Sequence, residues 1–132
     1  MAAITEKNAM SALFTAVDEL LTNQEVVFTQ PEITDEEKAY VWFSLSSQIT
    51  DLLDTAFNIL YVDLNISTAT YSQALDVAEI IEAEFNKATL ETGSGNIFIH
   101  IVNPIWFVED VGEGKIRYRY ILPMKLRNKY TE

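Results

Sequence analysis

Any chemistry in this chain has to come from a short roster of side chains. There is one histidine, His100, and no cysteine, so a His/Cys metal centre has at most one ligand and thiolate catalysis is excluded. His100 lies within IFIHIV at 97–102, without the second group that would orient a general base, and reads as a structural histidine. The carboxylate groups Asp51/Asp54 and Glu109/Asp110/Glu113 could work as acid and base or hold a hard cation. Neither has the Asp-x-Asp-x-Asp-Gly run with a terminal Glu that a calcium loop needs. Together with Asp35, Glu36 and Glu37 they read as solvated loop charge. Gly93-Ser94-Gly95 has the composition of a phosphate cradle, but it follows a helical segment and precedes a strand. That is the reverse of the order that points a helix N-terminus at an anion, and the triplet reads as a helix stop. Asn65-Ile66-Ser67 fits the glycosylation acceptor pattern; without a secretory signal the match reads as chance. These residues assign no catalytic, cofactor-binding or metal-binding group and imply no cofactor, so the chain is expected not to be an enzyme.

The remaining candidates are cations. Lys115, Arg117 and Arg119 alternate along a strand-like run, followed by Lys125, Arg127 and Lys129, against Glu132 as the only acid after residue 114. Residues 1–114 hold nineteen acids against Lys7, Lys38 and Lys87, so a chain of net charge −11 divides into a part of −16 and a part of +5. Such asymmetry can steer head-to-tail association of identical copies, or both faces can simply be solvated. The basic alternation can bind phosphate, membrane headgroups or an acidic protein face, or protect a strand edge from aggregation. On the association reading, reversing Arg117 and Arg119 to Glu is expected to weaken assembly without unfolding the subunit. Sequence-specific nucleic acid is not an expected partner, because phosphate contacts need clustered cations over more than one short segment. No run approaches membrane-spanning length, and no membrane partner is expected.

These side chains must be held by a single domain, 1–132, long enough to bury about two-thirds of the surface its unfolded form exposes. The absence of cysteine removes any disulfide framework, and the first residues, with Glu6 and Lys7, do not read as a signal peptide. Met10, Leu13, Phe14, Val17, Leu20 and Leu21 predict an amphipathic helix with Thr5 as its N-cap. Val26-Val27-Phe28 reads as a short strand stopped at Gln30-Pro31, and 31–38 as an acidic connector. Period-two alternation predicts strands over 40–48 and 59–66. The segment 50–58 between them is either a helical turn or a loop. Thr70 and Gln73 form a capping box in which hydroxyl and amide each satisfy a backbone N–H, opening a helix whose apolar positions run from Tyr71 to Ala88. The run 97–102 is apolar on both faces and reads as an interior strand or a subunit contact. Asn103-Pro104 turns or bulges the chain into a hairpin over 105–125, whose second arm sets Ile116, Tyr118, Tyr120, Leu122 and Met124 against the cations. The fold class is α+β: a mostly antiparallel sheet of about five strands with two amphipathic helices on one face. Tyr40, Trp42, Tyr61, Trp106 and Tyr118 are then left on the opposite face, to be covered by water, a loop or another subunit.

The run YVWFSLSSQITDLLDTAFNILYVDLNISTATYSQALDVAEIIEAEFNK, with a strand, a loop, a V-D-L strand and a helix opening near Thr70, resembles the core of the phage tail-terminator and tail-completion proteins. KIRYRYILPMKLR, running into a basic tail, is similar to their last strand. The resemblance covers about residues 8–129 by order of elements and rests on hydrophobic patterns. It implies a non-enzymatic subunit of a hexameric ring at the tail neck of a virion, folded in the host cytoplasm, with tail-tube and head-completion proteins as partners. The connector 31–38 and the turn 109–114 are implied as contact loops. The subunit interface is expected at Arg117, Arg119, Tyr118, Lys125, Arg127 and Trp106. The chain departs from the pattern by a longer insertion at 50–58 and by its acidic body. An acidic inhibitor or adaptor that mimics DNA is the alternative, and the basic C-terminal strand counts against it.

Overall fold

The computed structural model describes residues 6–22, 25–27, 31–34, 37–50, 57–92 and 95–129. Helix α1, Glu6–Leu20, buries Ala9, Leu13, Val17 and, just past its end, Leu21. A four-residue repeat keeps one stripe inward. Thr5, the expected cap, and Phe28 and Gln30 lie outside the described residues. Strand β1, Glu25–Val27, runs parallel to β2, Tyr40–Thr50, and β2 pairs antiparallel with β3, Phe57–Thr68. Thr50 and Phe57 therefore belong to strands, and only 51–56 of the ambiguous segment falls outside the description. On β3 the expected alternation holds: Leu60, Val62, Leu64 and Ile66 are fully buried.

Helix α2, Tyr71–Phe85, starts at the expected cap, where Thr70 Oγ1 accepts from Gln73 N at 3.2 Å. The reciprocal half of the capping box is not made. The Gln73 amide instead donates to Glu37 O at 3.4 Å, pinning the connector to the helix start. The helix also stops earlier than its apolar stripe suggests. Asn86 caps it and Lys87 takes a left-handed φ of 62°, with Lys87 N donating to Ile99 O and Asn86 Oδ1 accepting from Ile101 N. Ala88 then opens strand β4, Ala88–Glu91. The helix therefore ends before the glycine triplet expected to stop it, of which Gly93 and Ser94 lie outside the described residues; β4 pairs antiparallel with β5, Asn96–Ile101. There Thr92 N and Oγ1 both donate to Gly95 O.

The last strands, β6 (Ile105–Gly112) and β7 (Lys115–Lys129), complete a seven-stranded sheet of order β1-β2-β3-β7-β5-β4, with β6 also on β7. The α+β class with both helices on one face is the one expected, with more strands than the expected count. Strand β7 is its spine. Tyr118–Arg127 pairs with β3 along one edge, while the other edge takes β6 at 115–121 and then β5 at 124–129. Between them 102–104 face only 122 and 123, a one-residue bulge at Asn103 (φ 21°) closed by Val102 N donating to Pro123 O at 3.0 Å. The side-chain phase switches there. Ile97, Ile99 and Ile101 are buried against the helices, whereas Ile105, Phe107 and Glu109 of β6 share the other face with Ile121, Arg119 and Arg117. The core joins α1, α2 and the helix-side residues of β2, β3, β5 and β7, and Phe14 meets Phe43 edge-on at 6.3 Å.

The β6–β7 turn has positive φ at both central residues, Glu113 (56°) and Gly114 (75°), between the paired Gly112 and Lys115. That is the pattern of a type I′ turn, in which a glutamate is strained. Glu113→Asn, which tolerates left-handed backbone, should stabilise the protein by roughly 0.5–1 kcal/mol. Urea unfolding checks this, and a lowered midpoint contradicts it.

Candidate subunit interface

Arg117 and Arg119 lie on the sheet face away from the helices, where Tyr40 and Trp42 of β2 also emerge. Arg117 is 3% exposed. Its Nε donates to Ser67 Oγ at 2.8 Å, and Nη2 donates to Ser67 O at 2.9 Å and Lys38 O at 2.8 Å. Its guanidinium sits 5.6 Å from the centre of the Tyr40 ring. Arg119 lies between two rings, Trp42 at 5.0 Å and Phe107 at 5.7 Å. Its Nη2 donates to Asn65 Oδ1 at 2.9 Å, and its Nη1 forms an ion pair with Glu109 Oε2 at 3.1 Å. Asn65 in turn donates from Nδ2 to Ser44 Oγ at 2.6 Å. The connector closes the other side, since the Tyr40 hydroxyl accepts from Thr34 N at 3.3 Å.

This network decides one expectation and corrects another. Tyr40 and Trp42 are covered within the chain, by two guanidinium planes and by the connector, the loop among the expected coverings. The expected basic edge of Arg117 and Arg119 is also no exposed face: Arg117 is spent on holding β7, β3 and the connector together. Reversing it to Glu would set a carboxylate against the carbonyls of Ser67 and Lys38, so the double reversal cannot leave the fold untouched.

The other expected interface residues fall in two further places. Tyr118 and Trp106 are on the helix side, beyond the start of α2, where the Tyr71 ring lies 6.1 Å from Tyr118 and 4.8 Å from Trp106. Lys125 and Arg127 stay on the open face near the opposite end of β7. They face His100 and Phe98 across the β5–β7 ladder, with Arg127 5.8 Å from the Phe98 ring centre. Tyr61 sits beside Lys125 on the same face, half-buried. His100 is therefore exposed at a surface rather than packed in the core, although β5 itself is an interior strand between β4 and β7.

The hairpin arm and Trp106 were expected, but the exposure of β6 on both faces was not. Ile105, Trp106, Phe107 and Val108 are 38–54% exposed, as is Ile116 across the ladder, and the strand pairs only with β7. Apolar side chains project from both of its faces along an edge whose outer backbone has no partner among the described residues. Natural edge strands are usually guarded by charge, proline or a covering element. Four consecutive apolar residues after Pro104 were the available signal. Alternation directed attention to β7 instead.

Little else suggests chemistry. A cleft of about 700 Å³ opens between the hairpin turn and the connector, lined by Ile33, Ala69, Glu113, Lys115, Ile116 and Arg117. Glu109 is taken by Arg119, and Asp110 Oδ1 accepts from Gly112 N at 2.8 Å. Asp35, Glu36, Asp51 and Asp54 lie outside the described residues. Among the described residues no three His, Cys, Asp or Glu side chains could jointly hold a metal ion, and no helix is long and apolar enough to cross a membrane. Asn65 and Ser67 of the glycosylation match are buried in β3, closed to a glycan. Neither a protein-family model nor a curated protein matches the chain.

Asp63, next to Asn65 on the same face, has its carboxyl pushed above the ordinary 3.8 by burial, with Arg119 pulling the other way. The folded state then holds this proton more tightly than the unfolded chain. Its contribution to stability is complete below about pH 4 and is lost as pH rises through the raised value. Asp63→Asn should gain on the parent between about pH 4 and pH 7. Denaturant titrations at each pH test the sign, and a gap that moves the other way means the Arg119 attraction dominates. Arg117→Met should lower unfolding free energy by on the order of 3 kcal/mol, because buried carbonyls lose their donors; a loss below about 1 kcal/mol is incompatible with the network holding the connector.

Proposed function

We propose that this chain is a virion structural subunit, a tail terminator or head-to-tail joining protein, which acts by assembling into a ring at the phage neck. The observation that carries the reading is β6. An edge strand with apolar side chains on both faces is a surface suited to another polypeptide, and monomeric proteins rarely leave one open. Two features support it. The helix-on-sheet order matches the pattern implied by the resemblance, and the division of charge between residues 1–114 and 115–132 favours contact between unlike faces of identical copies. A ring subunit needs shape and unlike edges rather than reactive groups. The acidic-inhibitor alternative draws less support, because the exposed edge of β6 is apolar and the C-terminal strand is basic.

Ile105→Glu and Val108→Glu each change an exposed side chain. They should leave the unfolding midpoint within about 0.5 kcal/mol of the parent while weakening assembly by about tenfold or more. Light scattering on the purified chain gives the mass, and labelling of particles gives the position. A strict monomer at high concentration, together with no label at the neck, would sink the proposal.

A further inference from the structure

We propose that the basic, aromatic block on the open face docks onto the outer face of α2 of a second copy of this chain; this rests on the reading that the chain self-assembles and names the contact between neighbours. The block is built by register: Phe98 faces Arg127 and His100 faces Lys125 across the β5–β7 ladder, so all four side chains share one face. A small hollow of about 80 Å³ lies among them. On the opposite side of the subunit, α2 turns Asp76, Glu79, Ile80 and Ala83 outward at helical spacing, with Glu84 beside them. Ile80 is 44% exposed, and the helix contains no basic residue.

The two surfaces complement each other in charge and in layout. Each has an apolar element, Phe98 on one and Ile80 with Ala83 on the other. Beside Phe98 stand Arg127 directly and Lys125 diagonally, with one carboxylate, Glu91, on its β4 side. The charges of α2 are all acidic, so the balance of the two surfaces is opposite in sign. Ala83 lets another backbone approach closely. The surfaces sit on opposite sides of one sheet, so a single partner cannot take both. The contact therefore repeats from copy to copy, as a ring requires and a twofold dimer does not. It also leaves β6 free for a further contact.

The test is charge reversal with rescue, using the full chain. Lys125→Glu with Arg127→Glu should weaken self-association at least about tenfold, and Glu79→Lys with Glu84→Lys should do the same. Circular dichroism checks that each variant folds. An equimolar mixture of the two reversed proteins should regain the parental mass by sedimentation velocity, because every contact in an alternating array is again attractive. Assembly of the parent should also weaken at about 0.5 M salt. If the parent assembles and both reversed proteins still match it, the inference falls while self-assembly through β6 stands. Reversed proteins that weaken without rescue on mixing overturn it as well, since the block then meets some other surface. A parent that never assembles removes both readings.

Discussion

A guanidinium keeps its charge at any pH the protein meets, so wherever it is buried its donors must be answered. Arg117 imposes that constraint here, and much of the architecture follows from it. Its fork needs acceptors from two places far apart in the chain, Ser67 at the end of β3 and the carbonyl of Lys38 just before β2. Satisfying them fixes where the connector lies, and the connector carries the chain between the parallel strands β1 and β2. Arg119 extends the network one step along the strand, stacking on Trp42 and linking β6 to β3 through Glu109 and Asn65, while its Nε is buried without an acceptor among the described residues. The face away from the helices is thus covered by cation and aromatic layers instead of a third layer of secondary structure.

Much of this fold is legible in the sequence where a single period dominates. The α1 stripe, the β3 alternation and the Thr70 cap are local patterns, each set by residues only a few positions apart. The end of α2 was not legible, because Ala88 continues the apolar stripe. What stops the helix is Lys87 turning left-handed so that its N–H can reach Ile99 on β5, a bond between distant segments. The same holds for β4, whose four residues have too little pattern of their own and exist because β5 offers them an edge.

The candidate site was legible in its ingredients and not in its arrangement. Alternation placed Arg117 and Arg119 on one face of β7, and they are there. It could not show that Tyr40 and Trp42, two strands away, would meet them and make that face an interior. Charge read from sequence is taken as exposed by default, and burial reverses its meaning: Arg117 became a structural tie, while Lys125 and Arg127 kept the role of surface cations. The exposure of β6 was illegible for a related reason, since only the sheet order reveals that no other strand among the described residues pairs with its outer edge.

The bulge at 102–104 bears on shape at a larger scale. Strand β7 pairs with both β5 and β6 through separate stretches, so the length of the link between them can vary while each ladder keeps its own register. The link does set the bend and twist at which β6 departs from the line of β5. In an assembly built through β6, that angle is repeated at every joint, and adding or removing one residue beside Pro104 would alter the curvature of the whole array. The circumference of such an array would then be written in the length of a three-residue link, open to change by a single codon gained or lost, with the core's inheritance unaffected.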